Sequence, residues 1–247
     1  ARDGTNVVVC AKTTLEHPKL PGTIHDTASA CEAAGGRALA VKTDLRFEGQ
    51  IIEAVVSAVE TFGRLDVVVN NASALGLTDT RSTTTNLFDR MHDLNARGSG
   101  LMTREALPHL LESGNPHVLN ISPPLNMEAK WFRNHGAYSV AKFAMSIWVL
   151  GMSAEFADRG VAFNALWPKT AIATSAVQNL LGGEQALRRC RLPTIMADAA
   201  YEVITRPSRT CTGNFFVDEA LLREAGVDDF SGYAEVADDD LMPDFFL

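Results

Sequence analysis

Apolar residues follow two rhythms along this chain. Short, unbroken runs rich in β-branched residues alternate with longer stretches in which apolar positions return every three to four residues. The unbroken runs are 6–11 (NVVVCA), 37–43 (RALAVKT), 65–71 (LDVVVNN), 116–122 (PHVLNIS), 161–168 (VAFNALWP) and 213–218 (GNFFVD). They are too short for core helices, and most are apolar on both faces, which predicts buried strands. The periodic stretches predict five helices. The first is capped by Asp26 and runs to about Ala34, before Gly35 and Gly36; the second covers 48–63 and ends at Gly63. Others run from about Asn86 to Glu112, from about Ala137 to Ala157, and over 195–205. The HPKLPG segment reads as a loop with two prolines, and 170–192, without a clean period, as a flexible excursion. The tail DDDLMPDFFL is acidic, then aromatic.

Alternating two-faced strands and helices predict a parallel sheet covered on both sides, a doubly wound α/β fold. No repeat or low-complexity linker divides the chain, so 1–247 reads as one domain. Sheets of this kind bind ligands beyond the carboxyl ends of their strands. Polar residues recur at those ends: Lys12, then Asp44, then Asn70, Asn71 and Ser73, then Ser122, and then Lys169 and Thr170 after Pro168.

The helix expected over 137–157 carries an unusual pair. Tyr138 and Lys142 stand four residues apart and therefore share a face. A free phenol, with a pKa near ~10, is a poor base at neutral pH. An adjacent ammonium favours the phenolate, so the pair could exchange a proton with a substrate hydroxyl or carbonyl. Lys142 could also reach a ribose hydroxyl. The competing reading is a tyrosine at the edge of the core and an unrelated lysine.

Bulk composition narrows the partners. With 46% apolar and 21% charged residues, the chain has the profile of a globular domain. A net charge of −8 argues against nucleic acid, which demands clustered cations. Cys10, Cys31, Cys190 and Cys211 stand far apart, without a CxxC or Cys/His cluster, so neither a disulfide framework nor a metal site is expected. That usage suits a reducing interior: cytoplasm, or peroxisome or mitochondrion in a eukaryote. The uncharged run between Lys142 and Glu155 is too short to span a bilayer, so no membrane span is expected.

NNAS after a strand, LNARG in the next helix, NIS closing a strand, then YSVAK and NALWPKT together resemble the short-chain dehydrogenase/reductase family. The resemblance implies a Rossmann-type fold, a nicotinamide cofactor and an oxidoreductase that interconverts an alcohol and a carbonyl. By that likeness Tyr138 is the proton donor, and Lys142 binds the nicotinamide ribose and lowers the tyrosine pKa. Asn95 would hold a water of the proton relay. Asp44 would lie near the adenine, Asn71 beside the cofactor, and Pro168 and Thr170 at the nicotinamide carboxamide. The CAKT turn lacks the carboxylate that grips a ribose 2′-hydroxyl, and Lys12 could pair with a 2′-phosphate, so NADP is expected over NAD. The family likeness also implies a homo-oligomer built on the apolar faces of the 86–112 and 137–157 helices. Trp131, Phe132, Trp167 and the 170–192 excursion could line a pocket for a lipid-like carbonyl.

The pattern departs from the family twice. Its substrate-binding serine aligns with Pro123, which leaves Ser122, water or a backbone group to stabilise the oxyanion. No glycine-rich phosphate loop precedes Asn6 either. The expectation is a fold lacking its first strand, with unpaired edges on the strands at 6–11 and 65–70. Such a truncated chain is expected to bind dinucleotide poorly and to be marginally stable. The alternative to the oxidoreductase is a Rossmann-like binding or scaffold protein with weak or no turnover, which the truncation and Pro123 favour and Asn95, Tyr138 and Lys142 disfavour.

Overall fold

A computed structural model describes residues 1–16 and 22–247; most of the HPKLPG segment lies outside the described residues. Among the described residues six strands form: β1 (Val7–Ala11), β2 (Ala38–Lys42), β3 (Val67–Asn70), β4 (His117–Ile121), β5 (Ala162–Trp167) and β6 (Phe215–Val217). All their pairings are parallel. β1 pairs with β2 alone, and the other four lie in the order β3-β4-β5-β6. Among the described residues β1 and β3 share no ladder, so each keeps an unpaired edge, as the sequence predicts. A cleft of about 470 Å³ lined by Val8, Cys10, Val55, Ala58, Val67 and Val69 lies there.

The two-faced strands bury both faces. In β4, Val118 joins α4 (Ser99–Leu110) and α5 (Gly136–Glu155) through Ala106, Leu110, Val149 and Met152. Its neighbour Leu119 points the other way, to Ile195, Ala199 and Val203 of α8 (Thr194–Thr205). Ala165 and Leu166 of β5 divide in the same manner. The alternation follows from the period-2 geometry of a strand.

Helix ends follow local chemistry. In α1 (Ile24–Ala33) the cap is Thr23 and not Asp26, which takes the reciprocal position. Thr23 Oγ1 accepts from Asp26 N at 3.2 Å, while Asp26 Oδ2 accepts from Thr23 N at 2.8 Å. α2 (Glu48–Phe62) ends at Gly63, whose φ of 78° suits glycine. The long helix expected over 86–112 is broken in character. It begins as α3 (Thr85–Met91), widens into a π-helical stretch over His92–Gly98, and resumes as α4. Residues 170–192 are more ordered than their pattern suggests. They hold α6 (Ser175–Leu180) and α7 (Gly183–Leu187), packed around Ala171, Val177, Ala186 and Cys190. α9 (Asp218–Glu224), which directly follows β6, lies outside the five helices expected from the sequence.

α5 is 20 residues long, with a mean hydropathy of 1.2, enough by length and composition to cross a membrane. More than half of it is buried inside the fold instead, as the central helix against β4 and β5. It lies close to α4 because Gly100 leaves room for Trp148: a Cβ there would sit 2.9 Å from the indole. Trp148 Nε1 donates to Ala96 O at 3.0 Å.

Candidate active site at the carboxyl ends of β4 and β5

Tyr138 lies in the first turn of α5 and Lys142 one turn later; both are buried, 7% and 3% exposed. Lys142 Nζ donates to Ile121 O at 2.8 Å, at the end of β4, and lies 5.3 Å over the Trp167 ring at the end of β5. The ammonium thus joins two strand ends to one helix. Tyr138 packs in the same aromatic cluster as Trp167. Among the described residues its hydroxyl makes no hydrogen bond, yet it is not among the unpartnered polar atoms sealed from water.

The electrostatics differ from the sequence expectation. Burial pushes the Tyr138 phenol above its usual range, and Asp244 adds to that shift. Burial pushes Lys142 down to about 8, partly opposed by Asp244. The ammonium donates one hydrogen to Ile121 O and lies over the Trp167 face, while burial and Asp244 set the direction of the phenol's shift. Asp244 itself is pushed up to about 6, chiefly by burial, with opposition from the Phe245 amide and Lys142. Sequence reasoning missed Asp244 because its place in the fold is far from its place in the chain. The acidic-then-aromatic tail was the available signal.

The tail returns across the site. Ala171 N donates to Met242 O, Met242 N to Arg189 O, and Asp244 N to Lys169 O. Trp167 Nε1 donates to Phe245 O at 2.8 Å. Phe246, fully buried, then fills the space between Trp131, Tyr138, Phe143 and Trp167, with ring centroids 5.2–6.3 Å away.

Other predicted residues divide into two groups. Ser122, directly after β4, is fully buried, and among the described residues its hydroxyl has no partner. Thr170, after β5 and Pro168, is also buried with an unpartnered hydroxyl, and its backbone bridges Pro243 of the tail. Asn95 sits fully buried in the π-helical stretch and spends its amide on one residue. Its Oδ1 accepts from Ala74 N at 2.7 Å and its Nδ2 donates to Ala74 O at 3.0 Å. It fastens the loop after β3 to the helix. Asn70 ties strands together, donating to Asn120 Oδ1 at 2.8 Å, and Asn120 donates to Met145 O of α5 at 2.9 Å. Asn120, quoted in the sequence only as part of NIS and given no role there, thereby anchors α5 one turn past Lys142.

The second group lies at the ends of β1, β2 and β3. Lys12 is exposed at the end of β1. Asp44, after β2, is already paired with Arg46 at 2.6 Å, which holds its carboxyl below the usual range. Arg46, a second cation beside Lys12's strand end, was missed although it stands two residues from Asp44. Asn71, after β3, is exposed. Unpartnered hydroxyls and a buried ammonium suit a nicotinamide riboside at the β4–β5 end. Among the described residues no glycine cradle for a pyrophosphate stands beside it.

The family description "short chain dehydrogenase" matches residues 1–184. A Danio rerio protein named hydroxysteroid dehydrogenase-like protein 2 is 52% identical over 248 residues, taking in 100% of this chain and 59% of the relative. The chain thus spans roughly half to three-fifths of the length of the curated relatives it matches. A short chain dehydrogenase from Mycobacterium thermoresistibile superposes with a TM-score of 0.93 at 43% identity, covering 100% of this chain and 87% of that one. Carveol dehydrogenase from Mycobacterium avium, solved in complex with NAD, gives 0.74 at 20% identity over 87% of each chain, a likeness of fold alone.

Proposed function

Because the chain belongs to the short-chain dehydrogenase family, we propose that it interconverts an alcohol and a carbonyl compound, with Tyr138 carrying the proton. Members of the family are NAD(P)-dependent oxidoreductases. The observation that carries the reading is the burial of Tyr138 and Lys142 at the ends of β4 and β5, the same two strands after which Ser122 and Thr170 hold buried hydroxyls without a partner among the described residues. When bound, the nicotinamide supplies the hydride for carbonyl reduction.

The residues would divide the remaining work. Tyr138, its pKa raised, keeps its proton at neutral pH and can release it to an alkoxide, a far stronger base. Lys142 is largely cationic at pH 7; with one hydrogen on Ile121 O, it has others to offer a ribose hydroxyl. Ser122 Oγ donates to the carbonyl oxygen as charge builds there. Thr170, with Pro168, addresses the carboxamide. Asn95 positions the loop after β3; its side chain is occupied, so a relay water would use its main-chain carbonyl. Lys12 and Arg46 favour a 2′-phosphate, hence NADP over NAD, with Asp44 holding Arg46 and Asn71 beside the cofactor. The aromatic cluster around Tyr138 suits a lipid-like carbonyl. A second copy of the chain covers the exposed residues Val140, Ile147 and Trp148 of α5, which with half-buried Ala144 line part of a surface groove of about 980 Å³.

The test uses the intact protein. NADPH and NADH are titrated by fluorescence, and carbonyl-dependent oxidation is compared with Tyr138→Phe. The expected result is a loss of about 10²–10⁴-fold in turnover with dinucleotide affinity unchanged. Equal turnover in both proteins removes Tyr138 from the mechanism. Dinucleotide binding without turnover in the unmodified protein leaves a scaffold.

A further inference from the structure

Resting on the oxidoreductase reading, we propose that Phe246 is a specificity-determining residue, whose ring marks the far limit of the space open to the hydrocarbon body of the carbonyl substrate. A substrate carbonyl must approach the Tyr138 hydroxyl, so the rest of the molecule must lie against the side chains packed around that residue. Those side chains are apolar: Trp131, Phe132, Phe143, Trp167 and Phe246 share the Tyr138 cluster. Phe246 has the largest share of these ring contacts, with centroids 5.7 Å from Trp167, 6.0 Å from Trp131, 5.2 Å from Phe143 and 6.3 Å from Tyr138.

Phe246 also differs from its neighbours in what holds it. Phe143 is built into α5, and its loss would disturb the helix that carries Tyr138. Phe246 belongs to a strap anchored through the main chain of residues 242, 244 and 245. Its own φ of 74° lies in the left-handed region, which a phenylalanine rarely adopts. Because those anchors are main-chain groups, the side chain can change size without removing any of them. Its volume is the adjustable term in how much hydrocarbon fits beside Tyr138.

The test reads binding separately from turnover. Trp131 and Trp167 flank Phe246, so tryptophan fluorescence reports occupancy of this space. Affinities for 2-hexanone, 2-decanone and 2-tetradecanone are measured for the unmodified protein, Phe246→Ala, Phe246→Leu and Phe246→Trp. Each extra buried methylene brings roughly a fourfold gain. Phe246→Ala is expected to bind the longest ketone at least about tenfold tighter, with 2-hexanone unchanged. Phe246→Leu should stay near the unmodified profile, and Phe246→Trp should lose the longer ketones. A profile that keeps its shape in Phe246→Ala overturns the proposal. Should near-ultraviolet circular dichroism show Phe246→Ala unfolded, an unchanged profile in Phe246→Trp overturns it equally. NADPH-dependent kcat/KM over the same ketones forms the second arm. Absence of turnover in the unmodified protein would count against the oxidoreductase reading alone, because the fluorescence profile still judges Phe246.

Discussion

The two sheets of this molecule are made from similar apolar runs, yet they are buried to different depths. β4 and β5 are buried almost throughout, paired on both edges and covered by α4 and α5 on one face and α8 and α9 on the other. β1 and β2 are half-buried along their length, and β1 keeps an edge open to a cleft. A VVVC run and an AFNALW run read alike as strands; what separates them is how many neighbours each acquires. The chemistry divides along the same line. The groups that would handle a proton sit in the dry sheet, where charge is expensive and pKa values move. The groups that would grip the adenosine end sit at the wetter one, as exposed or half-exposed ions.

That contrast can be broken most decisively by a matched pair of truncations. Leu119 in β4 is fully buried, whereas Leu39 in β2 is half-buried. Leu119→Ala should cost about 2–5 kcal/mol, and Leu39→Ala less than half as much, by urea unfolding. Equal costs would mean that the two sheets are packed alike.

A pH series sharpens the comparison within the dry sheet. Lys142 titrates at about 8 when folded and near ~10.4 when unfolded. Between those values the unfolded chain holds more protons, so stability should rise with pH, by up to about 1.4 kcal/mol per unit. The slope between pH 8 and 9.5 should be steeper in the unmodified protein than in Lys142→Met. Identical slopes would place the ammonium in water.

The smallest effect belongs to the wet sheet. Lys12→Ala should weaken NADPH binding by about 1 kcal/mol or less, with NADH unaffected, because an exposed cation is screened. The difference should shrink as salt is added. An equal loss for both dinucleotides would take Lys12 away from the 2′-phosphate.

Legibility in the sequence tracked distance along the chain. All six strands stood out, because unbroken β-branched runs are local. The Tyr138–Lys142 pair was visible for the same reason, as a spacing of one helical turn. Thr23 was overlooked as the cap of α1 because Asp26, three residues on, offers the same chemistry. The helices in 170–192 were hidden since each is too short to show a period. Asn120 was legible only as part of the NIS that closes β4, because its bond to Met145 O needs α5 packed against that strand; Arg46, two residues from Asp44, carried no motif.

Composition, periodicity and one-turn spacing determined the strands, the parallel α/β architecture and the helix that bears a phenol and an ammonium. These depend on neighbours in the chain, where backbone geometry leaves few choices. Tertiary structure alone decided that Lys142 faces the Ile121 carbonyl and Trp167, that Asp244 shares its low-dielectric surroundings, and that Phe246 closes over Tyr138. Burial and Coulomb interaction act through space, so the state of that phenol was settled by residues that only folding brings near it.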